Sequence, residues 1–374
     1  MKQLLEEAMQ IAGLTDFGDE RFKLGLAALL DTYSSNNFTT EAQGKLRRRM
    51  LELLVSRLQI EDAFKRHPEA LEQTISQPLF LTGLPRTGTS ALLNVLSVDP
   101  AWRSLKLWEA HNPSPLEGLA PGQEDPRYLR VKKYYDAMNE SSDFKKIHFM
   151  GADSAEECIF LTNHTFEDAA YGFEIFLEPY AEFYRGVERG YQYAYHANLL
   201  RLLQWQRPGE SWLLKTPSHV CHLDIILSEH PDAGIVITHR NPLEVVGSYC
   251  SMMMTVVPEQ SRTDPHDMGR RVLEHLAMQM DQSMDSRARL DSSRIVDVNY
   301  NDFIEDSVAV VEDIYESLAI RCPAETRDSI SQYVVDHPRG KHGSHDYQLA
   351  DFGLTENQVQ DRFARYLASY DLAV

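Results

Sequence analysis

The stretch that decides the fold is PLFLTGLPRTGTSALLNVL, from Pro78 to Leu96. Leu79, Phe80 and Leu81 form a short apolar run that ends at Gly83 and Pro85. From Gly88 onward, Ala91, Leu92, Val95 and Leu96 recur at helical spacing. The pattern predicts a buried strand, a tight turn and the first turns of a helix. Such a turn aims successive backbone N–H groups and the positive end of a helix dipole at one point, where an anion belongs. Gly83 to Ser90 nearly fits the nucleoside-triphosphate loop, but Thr89 stands where that loop has lysine. The cation is instead Arg86, whose planar guanidinium suits a two-pronged contact with an oxyanion. The competing reading is a glycine turn that binds nothing.

Working outward, the composition sets the class. A chain of 374 residues with 43% apolar side chains has room for one large α/β domain or two small ones. A net charge of −19 with no long basic run argues against a nucleic-acid backbone as partner, though not against a small anionic ligand. No uninterrupted apolar stretch approaches the length of a membrane span, and MKQLLEEAMQIAGL at the amino terminus lacks a signal-peptide pattern. Cys158, Cys221, Cys250 and Cys322 are scattered, which suits reduced thiols in a cytoplasm and neither a zinc site nor a disulfide framework.

Residues 1 to about 75 read as amphipathic helices, with the basic patch Lys45 to Arg49 a solvated face. Beyond the loop, Leu105, Leu107 and Trp108 predict a second strand with Glu109 at its end, where a carboxylate can take a proton from a bound hydroxyl. His111 is its rival for that task. Asn112 to Pro126 reads as a loop, and helices fill 127 to 206. There Glu156 and Glu157 open one helix as acidic partners of its dipole. Trp212 to Leu214 and Ile235 to Ile237 predict two more buried strands, ending at Lys215 and Arg240. Lys215 either meets developing charge on a ligand or reaches solvent. Asn241 is an N-cap, Pro242 the first helical residue, and Glu244 sits at capping-box spacing. Met252 to Asp264 predicts a loop beside an acceptor, 267 to 290 a long helix, and RIVDVNYNDF a fourth strand capped by Asn301 or Asp302.

GLPRTGTSALLNVLSVDP resembles the 5′-phosphosulfate loop of sulfotransferases that use 3′-phosphoadenosine 5′-phosphosulfate (PAPS), in the branch whose loop reads Pro-Arg-Ser-Gly-Thr-Thr. Thr87 and Ser90 depart from that pattern, and both keep a hydroxyl. The resemblance extends to Arg240 and Ser248, whose eight-residue separation matches the pair that holds the 3′-phosphate in that family. It implies an α/β fold of the P-loop type, three layers with a short parallel sheet and helices on both faces. Residues 1–75 would form a helical extension packed on a sulfotransferase domain at 76–374, together one unit. Arg86, Thr87, Gly88, Thr89 and Ser90 would hold the phosphosulfate. Glu109, 23 residues past Arg86, would be the general base, with His111 as the other candidate. Lys215 and Arg86 would stabilise the leaving charge. Arg339 and Lys341, with His342, would close over the nucleotide. The expected reaction is sulfuryl transfer from PAPS to a hydroxyl of a small lipophilic or phenolic acceptor, with no metal. An ATP-dependent kinase and a catalytically silent nucleotide-binding protein are the alternatives.

Overall fold

The computed structural model describes residues 1–36, 38–119, 123–141, 151–168, 172–209, 211–256, 263–337, 348–370 and 372. Among these, five strands form one parallel sheet: β1 (Leu79–Gly83), β2 (Trp102–Ser104), β3 (Ser211–Lys215), β4 (Gly234–His239) and β5 (Ile295–Asn299). Their spatial order is β2-β3-β1-β4-β5. β1 lies at the centre, with Leu79 opposite Leu213 on one side and Gly234 on the other. A parallel sheet covered on both faces demands strands that are apolar throughout, and all five residues of β1 are buried.

The two-residue period of the strands sorts their side chains between two apolar layers. Phe80, Leu214, Ile235 and Ile237 join one layer, with the helices Phe22–Ser35, Thr40–Arg66, Gly190–Gln206 and Pro265–Arg287. Leu79, Leu81, Leu213 and Val236 join the other, with the helices Thr89–Leu96 and Ser307–Ser317. Each such side chain contributes about 1.5–3 kcal/mol when fully buried. Helices on both faces of a short parallel sheet are the architecture that the resemblance implies.

Several boundaries differ from the sequence reading. The second strand is Trp102–Ser104, ahead of the Leu105–Trp108 run. It is a three-residue edge strand paired only with β3, so it carries little apolar signal of its own. Leu107 and Ala110, one helical turn apart, are buried instead on the short helix Leu107–His111. Glu109 therefore sits within a helix and not at a strand end. Met252, Met253 and Met254 lie in the helix Pro242–Val256, not in a loop. The cap after β5 is Asn299, whose side chain accepts from the Asn301 amide at 2.9 Å, in place of Asn301 or Asp302. Arg339, Lys341 and His342 fall outside the described residues. No helix among the described residues is long and apolar enough to cross a membrane.

The strand order fixes where a ligand can bind. The chain leaves β1 for β2 at one edge, returns through β3, then crosses β1 to reach β4. Gly83, Lys215 and His239 thus end three adjacent central strands side by side. In open parallel sheets such a reversal of strand order opens the ligand crevice at the carboxyl ends.

Candidate active site

The loop after β1 is held by side chains from its neighbours. Gly83 has φ +140°, and a methyl there would lie 2.5 Å from the Thr238 carbonyl oxygen, so glycine is required where β1 turns across β4. Thr87 turns its hydroxyl inward, 2.6 Å from both the Leu84 carbonyl and Thr238 Oγ1. That hydroxyl braces the turn. Gly88, φ +91°, abuts the Tyr300 ring. The helix Thr89–Leu96 starts immediately afterwards, with Thr89 buried and Ser90 part-exposed at its first turn.

Arg86 adopts φ +69°, a left-handed conformation that costs a non-glycine residue about 1–2 kcal/mol. Two contacts hold it there. Its Nε donates to Ser248 Oγ at 3.0 Å, and its carbonyl accepts from Arg240 Nη1 at 2.9 Å. Arg86, Arg240 and Ser248 thus meet, although Arg240 follows Arg86 by 154 positions. Asn241 caps the helix Pro242–Val256 by accepting from the Leu243 amide, and this aims Arg240 and Ser248 at the loop. The Arg240 guanidinium lies 4.2 Å over the Tyr300 ring and pairs with Glu244. An anion arriving at Arg240 must therefore compete with that carboxylate.

Lys215 is buried at the end of β3 and donates to Ser90 Oγ at 2.9 Å and to Glu157 Oε1 at 2.5 Å. Thr216 Oγ1 donates to the other Glu157 oxygen at 3.1 Å. The sequence reading places this carboxylate at a helix start, and the structure adds its contact with Lys215. The helix it was thought to open is the four-residue segment Ile159–Thr162, which Glu157 precedes. The sequence offers no local signal for this contact, because the lysine lies 58 positions further along.

Glu109 is buried, and its carboxylate is clamped. Oε1 accepts from Arg103 Nη2 at 3.0 Å, while Oε2 accepts from Arg207 Nη2 at 3.1 Å and from the Lys106 amide at 3.3 Å. Arg103 packs 4.1 Å over the Trp212 ring, and burial pulls its guanidinium down to about 10. His111 shares a 2.8 Å hydrogen bond with Tyr135 and packs on Phe160. Burial pushes its imidazole down to about 3, leaving it neutral and weakly basic.

The model of the Sulfotransferase family matches residues 78–324, and the chain belongs to that family. It is similar to sulfotransferase STF1 from Mycobacterium tuberculosis H37Rv, with 29% identity over 98% of each chain and a TM-score of 0.86. It is also similar to sulfotransferase STF9 from Mycobacterium avium, with 28% identity over 100% of this chain and 97% of that one, and a TM-score of 0.90. No curated protein matches significantly.

Proposed function

We propose that the protein transfers a sulfuryl group from PAPS to the hydroxyl of a small acceptor, lipophilic or phenolic in character. The observation that carries this reading is the contact of Arg240 Nη1 with the Arg86 carbonyl, which joins the two anion-recognition motifs in one crevice. The donor set fits a nucleotide with phosphate at one end and phosphosulfate at the other. Arg86, Ser90 and the amides of Thr87 to Ser90 would take the phosphosulfate at the helix start. Arg240 and Ser248 would take the 3′-phosphate, and Arg339 and Lys341 would supply the late basic loop. Lys215, beside Ser90, would neutralise charge on the bridging oxygen as its bond to sulfur breaks. The acceptor proton needs a base. Glu109 is buried with its side chain 3% exposed between two arginines, out of reach of an acceptor, and His111 is weakly basic, so in this reading Glu109 fixes the helix that carries it. The scheme needs no metal, unlike phosphoryl transfer, where Mg²⁺ offsets the triphosphate charge.

Binding of 3′-phosphoadenosine 5′-phosphate (PAP) tests the donor. At a hundredfold excess over its dissociation constant, PAP should stabilise the fold by about 2.7 kcal/mol without added metal. A larger rise in melting temperature with Mg-ATP would favour the kinase. PAP binding with no PAPS turnover across a broad acceptor screen would favour a silent nucleotide-binding protein.

Arg240→Ala should weaken PAP at least tenfold, about 1.4 kcal/mol. Affinity for the analogue lacking the 3′-phosphate should hardly change. Calorimetry with both nucleotides decides: an equal loss for the two would make Arg240 a brace for the Arg86 carbonyl only.

A further inference from the structure

We infer that Glu157 is the general base of this site, the carboxylate that receives the acceptor proton. The assignment rests on the sulfuryl-transfer reading above and names the group that reading leaves open. Glu157 is placed by backbone contacts on the ends of two strands. The Glu156 amide donates to the Leu105 carbonyl just past β2, and the Cys158 amide donates to the Lys215 carbonyl at the end of β3, both at 2.8 Å. The residue between them therefore faces the crevice above β3. One ammonium, Lys215 Nζ, bridges its carboxylate to Ser90 Oγ at the start of the loop helix. The carboxylate thus lies a single side-chain group away from where an anion would sit. Its side chain is 25% exposed, against 3% for Glu109. A base must touch the proton it removes, and of the two carboxylates only Glu157 combines exposure with a link to the anion loop.

The step balances simply. The acceptor oxygen forms a bond to sulfur as the bond from sulfur to the bridging phosphate oxygen breaks. The electron pair of that bond leaves on the 5′-phosphate, beside Lys215. The acceptor proton passes to a Glu157 oxygen, which loses it to water after product departs. Lys215 serves both ends: its ammonium contacts the carboxylate that takes the proton and the Ser90 hydroxyl beside which the leaving oxygen would lie.

The rival role is a counter-ion that only keeps a buried lysine charged, and the two roles separate experimentally. PAP formation from PAPS is followed with a panel of phenols and aliphatic alcohols, and with water as the minimal acceptor. Glu157→Gln should lower turnover by about 10²–10⁴, with PAP affinity by calorimetry within about threefold of wild type. Glu157→Asp keeps the charge beside Lys215 but withdraws it by one methylene. It should fold and bind PAP normally yet turn over slowly, which covers the case in which the glutamine variant fails to fold. Formate should restore part of the turnover of Glu157→Ala. Retained turnover in Glu157→Gln or Glu157→Asp overturns the assignment. So does a loss of turnover that runs parallel to a loss of PAP affinity. A wild-type protein that neither binds PAP nor consumes PAPS would instead remove the sulfuryl-transfer reading itself, a result visible before any variant is made.

Discussion

Lys215→Met is expected to lower PAPS turnover by about 10²–10³, or about 2.7–4 kcal/mol of barrier, the range for loss of one preorganised charge donor. Methionine keeps the apolar stem of lysine and falls one atom short of its ammonium, so the end of β3 stays packed against its neighbours. What disappears is the ammonium between Ser90 and Glu157. PAP lacks the sulfuryl group whose departure Lys215 would serve in the proposed reaction, so its affinity should fall far less than turnover. Single-turnover rates and PAP calorimetry on the same preparation make the comparison. Turnover near wild type would reduce Lys215 to a structural cation. An equal loss in both quantities would make it a ground-state binder.

The second large effect concerns stability. Glu109→Ala should cost about 3–5 kcal/mol, because removing one partner of a buried ion pair strands the other. Arg103 would be left with its side chain 5% exposed and without its carboxylate. Nε and Nη1 of that guanidinium are already buried without a hydrogen-bond partner among the described residues, and Nη2 would keep its 3.0 Å bond to the neutral Leu203 carbonyl in place of a carboxylate. The measurement is the urea midpoint at constant slope. A variant of normal stability that has lost turnover would return Glu109 to the role of base and remove it from the clamp.

The part of the site that was legible in the sequence is local in character. Leu79 to Leu81, Trp212 to Leu214 and Ile235 to Ile237 announced their strands because central parallel strands are apolar on both faces. Arg86 and Arg240 could be picked out because each lies in the short turn between a strand and the helix that follows it. The second strand was misread because its three residues form one edge pairing, while the Leu105–Trp108 run that follows looks more apolar. The contact of Glu157 was not legible because it is made with a lysine 58 positions away. No periodicity within either segment encodes that meeting. The same holds for the Glu109 clamp, where Arg207 comes from 98 positions further along.

Tyr300 has a consequence of its own. One edge of its ring rests against Gly88, and its face carries the Arg240 guanidinium. A methyl at position 88 would come within 2.8 Å of the ring, so the ring would have to give way, and Arg240 rides on it. The glycine of the loop after β1 and the arginine after β4 are thus gauged against each other by one flat spacer. The distance between them is a machined tolerance, set by the thickness of an aromatic ring and the absence of a side chain.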